Sequence, residues 1–147
     1  PGMGDRAREH REARRVGGIA VTAHLAPGHS AGCTTWTFPV MIDGVSRQAM
    51  IYCSTSVAAN RLVSKTKGPQ YPGIVADYEQ SFAKLKTMKA DVFLAPHAEQ
   101  FGMTEKRAAL AAGGPNPFID PGLLQKTVAA SEKAFREELA KQQDAAK

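Results

Sequence analysis

Apolar and polar residues fall into a globular pattern from about Val16 onward. Three short runs read as strands: 18–23, 34–42 and 47–53. Asp43-Gly44 separates the last two and is a hairpin signal. Residues 54–70 are polar and irregular, and a loop of that length inside a small domain is more often functional than idle. The period then changes. Ile74, Tyr78, Phe82 and Leu85 recur at four, four and three, which predicts a helix over 72–88 with one apolar face. Asp91 to Ala95 reads as a short buried strand that stops at Pro96-His97. Thr104 is a good N-cap for a helix over 104–112, and Gly113-Gly114-Pro115-Asn116-Pro117 ends it. A last helix is predicted over 121–143, with Leu124, Val128, Phe135 and Leu139 on one face. Glu132/Arg136 and Glu137/Lys141 support the other face. The order of strands, helix, strand and helices fits an α/β (α+β) sheet with helices on one face. Nothing in this sequence is left to cover the other face.

Composition changes this picture in one place. The 147 residues suffice for one ordinary domain, and 43% are hydrophobic, enough to bury a core. The net charge of +5 is dispersed except near the start, where Arg6, Arg8, Arg11, Arg14 and Arg15 stand among Asp5, Glu9 and Glu12. Residues 1–15 show no apolar face and are expected to be disordered or a solvated helix, with the domain proper spanning 16–147. Aromatic and basic residues do not interleave, so no nucleic-acid partner is expected. No apolar run is long enough for a membrane span, and no signal peptide is visible. Cys33 and Cys53 allow one disulfide and impose no framework.

The candidate chemistry gathers where strands end. Pro27-Gly28 breaks the first strand and puts His29 on a loop. His97 follows the strand at 91–95, and Ser54 follows the strand at 47–53. Strand ends are where α/β architectures collect site residues. Spacing alone is a weak metal signal: two histidines are too few for zinc, which takes three or four N, S or O ligands. His24 reads as structural, His10 as solvated, and Trp36, Tyr78 and Phe82 as packing residues.

The string Ala23-His24-Leu25-Ala26-Pro27-Gly28-His29-Ser30-Ala31-Gly32 resembles the Ala-His-x-x-Pro-Gly-His-Thr-x-Gly segment of metallo-β-lactamases of the subclass whose first zinc is held by three histidines. Four further pieces follow in family order. They are Cys53-Ser54-Thr55-Ser56-Val57, Tyr71-Pro72 with Asp77-Tyr78 and Ser81-Phe82, Asp91 to His97, and Asn116-Pro117-Phe118-Ile119-Asp120-Pro121-Gly122. The resemblance implies the C-terminal half of an αβ/βα sandwich with a mainly antiparallel sheet. It implies His29 as a ligand of the first of two zinc ions and His97 as a ligand of the second. Ser54 and Ser56 map onto residues that handle the zinc-bound water and the β-lactam carboxylate. In the whole family the substrate is a β-lactam, and members work in the periplasm or are secreted.

The sequence departs from the family in one large respect. The His-x-His-x-Asp-His motif that supplies most zinc ligands occurs nowhere in it: the histidines are 10, 24, 29 and 97. With one ligand per metal, little zinc affinity and no catalysis by this chain alone are expected. The abrupt change near Val16, and a start at Pro1 rather than methionine, are expected of a fragment or of a truncated or frame-shifted reading frame. The uncovered sheet face, drawn from Ile19, Val21, Trp36, Phe38 and Ile51, is expected to drive aggregation, homodimerisation or pairing with a missing N-terminal half.

Overall fold

The computed structural model describes residues 12–147. Among them, five strands form one sheet in chain order: β1 (Glu12–Val16), β2 (Ile19–Leu25), β3 (Thr34–Ile42), β4 (Val45–Ile51) and β5 (Val92–Leu94). The first four are antiparallel neighbours, and β5 joins β4 in parallel. Three α-helices accompany them among the described residues: α1 (Ile74–Thr87), between β4 and β5, and then α2 (Met103–Ala111) and α3 (Leu123–Ala145). The expected sheet with helices on one face is the architecture observed.

The hairpin between β3 and β4 turns at Asp43 and Gly44, both with positive φ (51° and 74°), as the two-residue turn that matches strand twist requires. Strand β1 is a correction to the expectation of helix or disorder for 1–15. Glu12 to Arg15 pair with Ala20 to Ala23, closed by a turn at Gly17-Gly18. A polar edge strand needs no apolar face of its own, because the ladder to β2 satisfies its backbone. The rest of that expectation, and the reading of His10, lie outside the described residues. Two smaller readings also shift. Helix α2 starts from Gly102 in a left-handed conformation rather than from Thr104. In α3, Glu132 pairs with Arg136 as expected, but Lys141 turns to Glu138 and Glu137 to Lys133.

The core lies between the sheet and helices α1 and α3. Ile74, Tyr78, Phe82 and Leu85 of α1 are all buried, with Leu124, Val128 and Phe135 of α3. Tyr78 and Phe135 stack with ring centroids 4.9 Å apart, and Phe82 lies 5.5 Å from Phe135. From the sheet, Met50 and Phe93 enter this cluster.

Among the described residues nothing covers the other face. Cross-strand partners share a face, and the register places Val16 with Ile19, and Trp36 with both Ala23 and Ile51. Ile19 is 47% exposed, Trp36 40% and Ile51 43%, while Val21 and Phe38 are partly exposed beside them. The five residues expected on an uncovered face therefore share one, and Trp36 is not the packing residue the sequence suggested.

Candidate functional site

Strands β2, β4 and β5 run in the same direction, since β2 and β4 are both antiparallel to β3 and β5 is parallel to β4. Their C-terminal ends, Leu25, Ile51 and Leu94, therefore meet one rim of the sheet. His29, Ser54 and His97 each follow one of these ends by three or four residues.

The Pro27-Gly28-His29 turn is held mainly by side chains from outside it. Lys84 Nζ donates to Leu25 O (2.9 Å), Ser81 Oγ to Pro27 O (2.6 Å) and Asn60 Nδ2 to His29 O (2.9 Å). Burial pushes the Lys84 pKa down, as expected for an ammonium drawn against the protein. Gly28 adopts φ 141°, and a Cβ there would lie 2.7–2.9 Å from ring carbons of Tyr78. Only glycine fits that approach. On the far side, Ala26 N donates to Cys33 O, and a Cys33–Cys53 disulfide ties this loop to the strand exit that carries Ser54.

His29 is partly exposed, and its Nδ1 lies 2.9 Å from Ser56 O. A carbonyl only accepts, so Nδ1 carries a proton, and in the neutral ring this leaves the lone pair on Nε2. Ser56 Oγ lies 3.3 Å from the same nitrogen. Ser54 Oγ donates to Ser56 Oγ (3.2 Å) and accepts from Ser56 N (3.1 Å). Tyr78 Oη donates to Ser56 O at 2.8 Å. Burial raises the Tyr78 pKa, so the phenol stays a donor at neutral pH.

The structure thus brings His29, Ser54 and Ser56 into one hydrogen-bonded corner. His97 takes none of these bonds. It stands exposed beyond β5, at the start of a 3₁₀ turn (Ala98–Phe101). His24 is buried with Nε2 2.7 Å from Thr37 Oγ1, a structural histidine as read. Sequence reasoning missed Asn60 altogether and saw Tyr78 only as core. The Asp-Tyr pair inside the α1 segment was the available signal for Tyr78. The partners of Asn60 lie too far along the chain for spacing to reveal.

Zinc needs more donors than this corner supplies. Among the described residues no group of three or more His, Cys, Asp or Glu side chains could hold a metal ion. The donor set does not fit a zinc site by itself; it offers one oriented imidazole nitrogen and one exposed histidine.

No protein-family model matches the chain. Solved structures do. BJP-1 of Bradyrhizobium japonicum, a subclass B3 metallo-β-lactamase, is 45% identical with a TM-score of 0.86, over 92% of this chain and 50% of that one. FEZ-1 metallo-β-lactamase of Legionella gormanii is 37% identical with a TM-score of 0.80, over 90% and 50%. A Cronobacter sakazakii metallo-β-lactamase with a HARLDQ motif is 32% identical with a TM-score of 0.79, over 90% and 51%. The chain spans about half the length of each.

Proposed function

Since the chain belongs to the metallo-β-lactamases and carries the C-terminal half of their fold, we propose that it is one half of a β-lactam-hydrolysing zinc site and is inactive alone. The observation that carries this reading is the Nδ1–H bond from His29 to Ser56 O, which leaves Nε2 as a ligand nitrogen. In a site completed by further ligands, His29 and His97 would each offer a nitrogen to one zinc ion, and Ser54 and Ser56 would present hydroxyls to the β-lactam or the water. Zinc bound by a full donor set supplies an activated water. The residues here orient a donor and present hydroxyls, and the remaining ligands come from a second set.

A second reading is favoured by the bare face of the sheet: a half-domain whose role is to pair, with a complementing chain or with itself. The exposed row of Ile19, Trp36 and Ile51 supports it. The Cys33–Cys53 bridge supports an oxidising compartment such as the periplasm.

The test is zinc stoichiometry together with hydrolysis of a chromogenic β-lactam by the purified chain. The expected result is no tight zinc and no turnover. Stoichiometric zinc with turnover that a chelator abolishes would overturn it, and would mean that the chain completes its own site.

A further inference from the structure

His29 is held through atoms that are not its own. Its carbonyl accepts from Asn60 Nδ2 at 2.9 Å, and Asn60 Nδ2 also lies 3.5 Å from Tyr78 Oη. The acceptor of its imidazole, Ser56 O, receives a second hydrogen bond from Tyr78 Oη at 2.8 Å. The preceding residue, Gly28, lies flush on the Tyr78 ring. Tyr78 itself is fully buried and stacked on Phe135, so it is a fixed reference point on α1. Backbone and imidazole of His29 are thus referred to the same helix through two side chains. Turning the imidazole to its other tautomer would set the lone pair of Nδ1 against that of Ser56 O, 2.9 Å away.

From this we propose that Asn60 and Tyr78 are positioning residues for His29, holding its imidazole in the tautomer that leaves Nε2 bare for a ligand. The proposal deepens the reading of His29 as a donor, and rests on it for its purpose. Its geometry concerns this chain alone. Neither residue touches the reacting groups; each acts through His29 or its acceptor.

The experiment is long-range ¹H–¹⁵N NMR of the histidine rings in the purified chain at pH about 8, above the ordinary histidine pKa of about 6.5. Wild type, Asn60→Ala and Tyr78→Phe are compared. Wild-type His29 is expected to carry its proton on Nδ1. In each variant the Nδ1–H to Nε2–H ratio is expected to fall, by up to about tenfold where loss of the support also breaks the Nδ1–H bond to Ser56 O, with the amide dispersion of β2 to β4 retained. Should Tyr78→Phe fail to fold, Asn60→Ala, at a partly buried loop position, decides alone. A wild-type imidazole protonated on Nε2, or an unchanged ratio in the folded variants, overturns the proposal. The zinc and turnover assay is separate, so failure of the functional reading leaves the tautomer result standing, and the reverse holds.

Discussion

The two faces of this sheet invert the usual assignment of side chains. On the covered face β3 buries Thr35 and Thr37, and β2 buries His24 beneath the helices. On the bare face the same strands present Trp36 and Phe38, with Ile19, Val21 and Ile51 beside them. A sheet with one solvated side normally turns its polar residues to water. In β2 and β3 the large apolar residues face out and threonines face in, whereas Met50 of β4 and Phe93 of β5 turn into the core. The threonines tolerate burial because their hydroxyls find partners: Thr37 bonds His24, and Thr35 Oγ1 accepts from Cys53 N. This difference is the observation behind the proposal that the bare face pairs with another layer.

Matched truncations on the two sides are expected to differ most. Phe135→Ala removes a fully buried ring that packs on Tyr78 and Phe82, and is expected to cost about 3–5 kcal/mol in urea unfolding. Ile51→Ala, on the bare face, is expected to change stability by only about 0.5 kcal/mol. Equal costs would mean that the bare face is packed in solution.

A smaller effect sharpens the covered side. Glu132 of α3 pairs with Lys86 of α1 and, at 2.7 Å, with Arg136. Hydrogen bonding from Lys86 first, and then from Arg136, holds its carboxyl below the usual range. The unfolded chain therefore binds this proton first as pH falls. The stabilisation is complete above the ordinary carboxylate pKa of about 4.3 and is lost as pH drops through the lower folded value. Melting temperatures measured from neutral to acid pH should show Glu132→Gln less stable at neutral pH and converging with wild type in acid. A constant gap would remove the ion pair from the account.

Much of this was legible because it is local. The Asp43-Gly44 turn, the spacing of Ile74, Tyr78, Phe82 and Leu85, and the Pro27-Gly28-His29 break each announce themselves within a few residues. What escaped depends on distant partners. Strand β1 is polar, and only Gly17-Gly18 hinted at a hairpin. The alternation Thr35-Trp36-Thr37-Phe38 defines two faces, and it was the family resemblance, not the alternation, that put Trp36 and Phe38 on the uncovered one. Asn60 and Tyr78 gain their roles from His29 and Ser56, up to 31 residues away. Ser54, Ser56 and His29 were each readable as site candidates, yet their mutual bonds needed the fold.

We propose that the bare face takes a partner layer. Light scattering of the purified chain across a concentration series tests it most directly, alongside Ile51→Lys as the variant that charges the face. The account predicts self-association or aggregation that grows with concentration and is suppressed by Ile51→Lys. A clean monomer at every concentration, melting cooperatively, would contradict it.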